Sequence, residues 1–327
     1  MAALLVLGEA AIAMELDMRL RKDGPHRGRR CVSVRSALFL TLAATFCVTL
    51  IRLLLAFAGG KGLWSGLTLL AEGAAALLIF GGSAWLGLCV IDGDRRQLLR
   101  LRVLSTPHIF YLCLLGVLSV CPVTLLSDMA RSLFEREHPS QMAPVSMAVG
   151  GQAALFLPQL LKSALLTPVC EELFYRGYLF GALEGQGRSR AILVSSVCFA
   201  LAHVSGGPEA FFLYALFGAL MCLLYVRSGS VLAPMIAHAC YNLSLLLLAY
   251  SGMSALFDGL TLVSCVVRLL GCMAFYAVLW RVYASRASRA PAHPLEGIRL
   301  NRREMLSIVA AAVALVAAAV ISGVMHP

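Results

Sequence analysis

Cys170–Glu171–Glu172–Leu173–Phe174–Tyr175–Arg176–Gly177 sets two carboxylates and a guanidinium inside a long apolar run. Whether that run is a soluble core or a membrane span decides the fold. The chain around it is 60% hydrophobic and 13% charged over 327 residues, with a mean hydropathy of +0.85. A soluble domain carries about 25% charged residues. Apolar segments recur between short charged loops, and a spanning segment must satisfy its own backbone hydrogen bonds. The chain therefore reads as an all-α, polytopic transmembrane helix bundle. The short alternating strands of a transmembrane barrel are absent. At bilayer depth each ionisable group costs at least about 2.5–3.5 kcal/mol, so three together mark a site. On a helix, Glu172 and Arg176 share a face and can pair. Glu171 points about 100° away and is the less neutralised carboxylate.

Working outward, the segment that holds this stretch runs from about Met147 to Glu184, too long for one simple span at about 1.5 Å per residue. Thr167–Pro168 is expected to kink it or to end its first part. Before it lie spans at about Ser36–Ala58, Leu63–Val90 and His108–Leu126, and a mixed-charge loop from Asp128 to Met142. After it come spans at about Ala191–Val204, Ala210–Val226, Val231–Tyr250, Leu260–Leu279 and Met305–Val324. That makes about nine spans, eight to nine by the treatment of the long segment. Met1–Met18 is apolar without a leading basic region, so no signal peptide is assigned. It reads as an interfacial or packed extra helix.

Basic residues orient this layout. With the N-terminus cytoplasmic, the inside segments hold seven (19–35), four (95–102), two (188–190), one (Arg227) and six (281–303), twenty in all. The outside loops hold only Lys61, Arg131 and Arg136. The net charge of +10 is thus a topology signal with some affinity for anionic lipid, and no nucleic-acid motif is present. The eleven cysteines are scattered through apolar segments with no C-x-x-C pair, which favours buried apolar roles over disulfides or a metal cluster. Of the other charges within spans, Arg52 and Glu72 can pair. Lys162 and Arg268 can snorkel or bind lipid headgroups. The aromatics Phe174, Tyr175, Tyr178 and Phe180 are expected to pack the bundle.

Further polar groups follow the glutamates. His203 closes one span in Phe199–Ala200–Leu201–Ala202–His203, and His238 and Asn242 share a helix face four residues apart in a later one. A lone intramembrane histidine often only bonds between helices. Two glutamates, an arginine, two histidines and an asparagine over three spans make a hydrolytic set. Glutamate can take a proton from water, histidine can orient that water, and N–H groups can stabilise an oxyanion. The same residue types can bind zinc.

Glu171–Glu172–x–x–x–Arg176, Phe199–x–x–x–His203 and His238–x–x–x–Asn242 resemble the three ordered motifs of the CAAX-processing and bacteriocin-processing (CPBP, or Abi) family of intramembrane proteases. That family includes the type II CAAX prenyl endopeptidases. Pro168, Arg176–Gly177 and Arg227–Ser228–Gly229–Ser230–Val231–Leu232–Ala233–Pro234 resemble its flanks, and the likeness covers about residues 150–250. It implies peptide-bond hydrolysis inside the bilayer on a membrane-bound or lipidated peptide. Glu171 would activate water with help from His203, His238 and Asn242 would hold the oxyanion, and Glu172 and Arg176 would fix the helix. The family is labelled metalloprotease yet discussed as metal-independent. A divalent metal such as zinc would be held by Glu171, His203 and His238, which lack H-E-x-x-H spacing.

The expected divisions are residues 1–36 (interfacial helix and basic segment), 37–145 (N-terminal spans), 146–251 (catalytic core) and 252–327 (C-terminal spans). The expected location is a bacterial plasma membrane. Two competing readings remain: a non-catalytic immunity, regulatory or scaffold protein of the same fold, and a proton-coupled transporter using Glu171, Arg176 and Glu72. No inverted repeat supports the transporter.

Overall fold

A computed structural model describes residues 34–58, 63–90, 99–133, 153–184, 187–203, 208–251 and 262–286. The expected helix at 1–18, most of the basic segments and the last span lie outside these residues. Among the described residues there is no strand, and the elements are helices. They are α1 (Val34–Ala58), α2 (residues 63–90, with a π turn at Leu77–Gly81), α3 (Thr106–Leu133) and α4 (residues 153–184). Then come α5 (Arg188–Leu201), α6 (Pro208–Ser228), α7 (Leu232–Ser251) and α8 (Leu262–Arg286). Among the described residues five stretches are long and apolar enough to cross a membrane: Gly66–Leu88, Thr106–Leu126, Phe211–Ser228, Leu232–Ser251 and Val266–Ser285. Leu38–Arg52 is a shorter apolar helix.

Helix α3 continues past the expected loop start at Asp128, because Ser127–Leu133 contains neither Gly nor Pro to stop it. The long segment around the glutamates neither breaks nor ends at Pro168. Instead α4 is continuous and alternates in winding: α over Phe156–Gln159, π over Leu160–Leu166, α over Thr167–Glu172, π over Leu173–Phe180, and α again to Glu184. The first π stretch explains how Pro168 is accommodated. The Thr167 N–H reaches back to the Lys162 carbonyl, five residues away, and the proline follows at the start of a fresh α turn, where its missing N–H is tolerated. Such π stretches recur at functional sites, and here one lies on each side of Glu171–Glu172.

Helix α4 is the axis of the bundle. Phe174, Tyr175, Arg176, Tyr178, Leu179 and Phe180 are fully buried. Helices α2, α5 and α7 pack against its π stretches, α6 lies against α5, and α3 packs on α7 and α8. The outer surface is apolar: Phe46, Leu78, Trp85, Phe110, Phe212, Leu270 and Val278 are all strongly exposed. An apolar belt of this extent belongs in lipid, and the chain is an integral membrane protein. Lipid is as apolar as leucine, so close packing and interhelical hydrogen bonds hold the helices together rather than the hydrophobic effect. At Gly116 on α3, a Cβ would stand 2.2 Å from the Ala237 carbonyl oxygen of α7.

One end of the bundle is fastened by charge. The Glu184 carboxylate accepts from Arg100 and from Arg188 Nε at 3.1 Å, and the Arg100 guanidinium lies 5.0 Å over the Tyr225 ring. The Val231 N–H donates to the Arg100 carbonyl, and Ser230 Oγ donates to the Arg102 carbonyl at 2.7 Å. The expected turn at Arg227–Ser230 is present. Gly229 takes φ 64°, the left-handed conformation that ends a helix, and Ser230 Oγ accepts from the Leu232 N–H to begin α7.

Candidate active site

The π stretch after Glu172 turns its face, and that of Arg176, towards α6 and α7. Arg176 Nη1 donates to Glu172 Oε1 at 2.8 Å, and Nη2 donates to the Gly218 carbonyl of α6 at 3.0 Å. His238 of α7 donates from Nδ1 to the same Glu172 oxygen at 2.9 Å. Both side chains of the Glu172–Arg176 pair are fully buried. The Phe199 ring of α5 lies beneath this pair, 4.7 Å from the Arg176 guanidinium and 6.0 Å from the His238 ring. A buried ion pair needs added hydrogen bonds to offset desolvation; Gly218 and His238 supply them.

Glu171 has a different neighbourhood. Its Oε1 is 3.7 Å from His203 Nε2, and its Oε2 is buried without a hydrogen-bond partner among the described residues. His203 sits at the end of α5, where Nδ1 bonds the Phe199 carbonyl at 2.8 Å. A carbonyl only accepts, so the Nδ1 proton is committed there, and in the neutral ring Nε2 offers a lone pair toward Glu171. Tyr214 of α6 stacks on the imidazole with centroids 4.1 Å apart. Phe199 flanks the other side at 4.6 Å.

Asn242 lies one turn beyond His238 on α7. Its Nδ2 donates to the Ser163 carbonyl at 2.8 Å, in the first π stretch of α4, which uses one of its two amide protons. The six residues singled out from sequence thus fall into three contacts: Glu172 with Arg176 and His238, Glu171 with His203, and Asn242 with Ser163. For the metal reading, His238 turns Nδ1 to Glu172 rather than joining Glu171 and His203. Among the described residues no three His, Cys, Asp or Glu stand close enough to hold a metal ion. As placed, Glu171, His203 and His238 are not a ligand set.

Residues 153–244 match the family model described as type II CAAX prenyl endopeptidase Rce1-like, and the match takes in all six of these residues. The chain carries an Rce1-like domain. No curated protein and no solved structure gives a significant match. The Rce1-like family is a protease family, and in this domain two glutamates, two histidines, an arginine and an asparagine come from α4, α5 and α7.

Several partners within the Rce1-like domain were not visible in the sequence. Tyr214, the Gly218 carbonyl and the Ser163 carbonyl stand at no helical spacing from the residues they touch. Gln159 is fully buried on α4 with both amide atoms unpartnered among the described residues. Lys162 of the domain and Glu72 outside it correct an expectation: Lys162 is buried and donates to Glu72 rather than reaching for lipid. Arg52 Nε stands 3.8 Å from the same carboxylate. The expected Arg52–Glu72 pair is therefore the looser of two.

Proposed function

We propose that the chain is an intramembrane endopeptidase that hydrolyses a peptide bond in a membrane-bound or lipidated peptide, prenylated CAAX-type peptides included. The observation that carries this reading is the unequal use of adjacent glutamates. Glu172 is consumed by Arg176 and His238, whereas Glu171 keeps an unpartnered oxygen beside a histidine whose lone pair faces it.

Two facing acceptors suit a water molecule that donates one proton to Glu171 and one to His203 Nε2, leaving its oxygen lone pairs for attack. As the water oxygen bonds to the peptide carbon, Glu171 takes the proton and the carbonyl becomes an oxyanion. His238, when protonated at both nitrogens, has its Nε2–H to donate, and Asn242 has its second amide proton. When the tetrahedral intermediate collapses, the C–N bond breaks and the proton on Glu171 passes to the leaving amine. Glu172 and Arg176 hold the helix and fix the orientation of the His238 ring, and Tyr214 and Phe199 clamp the His203 ring.

The wider setting of this reading is a nine-span chain with its N-terminus in the cytoplasm of a bacterial plasma membrane and residues 146–251 as the catalytic core. The test is cleavage of membrane peptides by the purified chain in nanodiscs, read by mass spectrometry. Glu171→Gln is expected to lower kcat/KM by about 10²–10⁴-fold with its thermal midpoint unchanged. Full activity in that variant overturns the reading.

A further inference from the structure

Arg52 lies on α1, outside the matched domain, with its side chain 52% exposed. It leans against a carboxylate that is already taken: Glu72 accepts from the buried Lys162, and Arg52 Nε reaches it only at 3.8 Å. Two cations therefore share one anion, which leaves about one positive charge uncompensated among the described residues. The Lys162 that shares Glu72 with Arg52 directly precedes Ser163, whose carbonyl accepts from Asn242 at 2.8 Å. Helix α1 also packs against α5, whose C-terminal end leads to His203. A half-exposed guanidinium at the edge of this group, with spare donors in a planar fork, is built to receive an anionic oxygen group.

Two sources could supply that group: a peptide carboxylate or the phosphate of a lipid headgroup. The link through Glu72 and Lys162 to the Ser163–Asn242 contact of the site favours the peptide. A CAAX motif is four residues at the extreme C-terminus. Any bond cleaved within it lies at most about three residues, roughly 10 Å when extended, from the free carboxylate. One substrate can therefore present its scissile bond to the domain and its carboxylate to a cation at the domain's edge.

We propose that Arg52, braced by Glu72 and Lys162, is a specificity subsite for the free C-terminal carboxylate of the substrate. This rests on the protease reading above and adds to it a preference for C-terminal ends. It also assigns a substrate-binding task to a residue outside the matched domain.

The test compares one S-farnesyl peptide ending in Cys-Val-Leu-Ser as the free acid and as the C-terminal amide, with the full chain in nanodiscs. The wild type is expected to show a KM about 10-fold higher for the amide, with kcat little changed. Arg52→Gln is expected to raise KM for the acid to the amide value and to leave the amide unaffected. Equal KM values for the two peptides in the wild type, or a loss in Arg52→Gln that falls equally on both, overturn the subsite while the protease reading stands. Should KM follow the phosphatidylglycerol content of the nanodisc with no acid–amide difference, the group recognised is lipid phosphate, and the proposal fails. If the wild type cleaves neither peptide, the protease reading fails for this substrate, and equilibrium binding decides the subsite. Tighter binding of the acid, lost in Arg52→Gln, supports it, and equal or undetectable binding of the two forms overturns it.

Discussion

Glu171 and Glu172 are adjacent and chemically identical, yet substitution should separate them cleanly. Glu172 is fully buried, is the counter-ion for Arg176 and accepts a hydrogen bond from His238. Glu172→Gln keeps the shape but leaves a buried guanidinium without its anion, the kind of loss that costs about 3–5 kcal/mol. The expected outcome is a clear fall in the thermal midpoint in detergent, together with loss of activity. Glu171→Gln should lose activity alone, since its carboxylate anchors no buried cation. Equal destabilisation by the two substitutions would show that both glutamates are structural. The pairing of Glu172 with Arg176 was readable from sequence because a helix turns four-residue spacing into a shared face. That His238 serves Glu172, and that Asn242 donates to Ser163, was not readable. Those contacts join α7 to α4 across long separations with no local pattern to announce them.

The elements themselves were largely visible as apolar runs, and the main surprise is the winding of α4. Proline in a helix predicts a kink or a stop, and the π stretch ahead of Pro168 removes the need for either. No composition rule signals a π stretch, because it depends on how neighbours pack on the helix. The packing of α7 is as sensitive as that of α4. Gly116 lets α3 approach the α7 backbone immediately before His238, and a methyl group there would meet the Ala237 carbonyl at 2.2 Å and Cys240 Cβ at 2.9 Å. Backbone cannot fold aside as a side-chain tip can, so Gly116→Ala should separate the helices at an overpacking cost of about 1–3 kcal/mol. Thermal midpoint and kcat/KM should fall together, because the displaced α7 carries His238. Gly271→Ala is the control: nothing lies within 4 Å of its added Cβ on α8. An unchanged midpoint for Gly116→Ala would mean that α3 and α7 stand further apart than described.

The whole bundle has two chemically distinct ends. One gathers Arg100, Arg102, Glu184, Arg188 and Arg227 around the α6–α7 turn. His203 lies just past the opposite end of α5, sixteen residues beyond the Gly187 that precedes the helix, near where α6 begins. Arginine-rich ends face the cytoplasm, so the basic end is expected inside and His203 toward the outer half of the bilayer. This expectation rests on charge counts alone, since orientation is set by loop composition and not by tertiary contacts. The 99–105 segment offers a direct check. It is pinned at Arg100 and Arg102, yet Val103 is 90% exposed. A protease recognition sequence inserted after Val103 should therefore leave the fold intact and stay accessible. Protease added to inverted membrane vesicles should cut the chain there, while the same protease added to intact cells should not. Cutting from the outside would reverse the orientation of every span. It would put the arginine end outside and His203 toward the cytoplasm, and a lipidated substrate would then have to approach from the opposite leaflet.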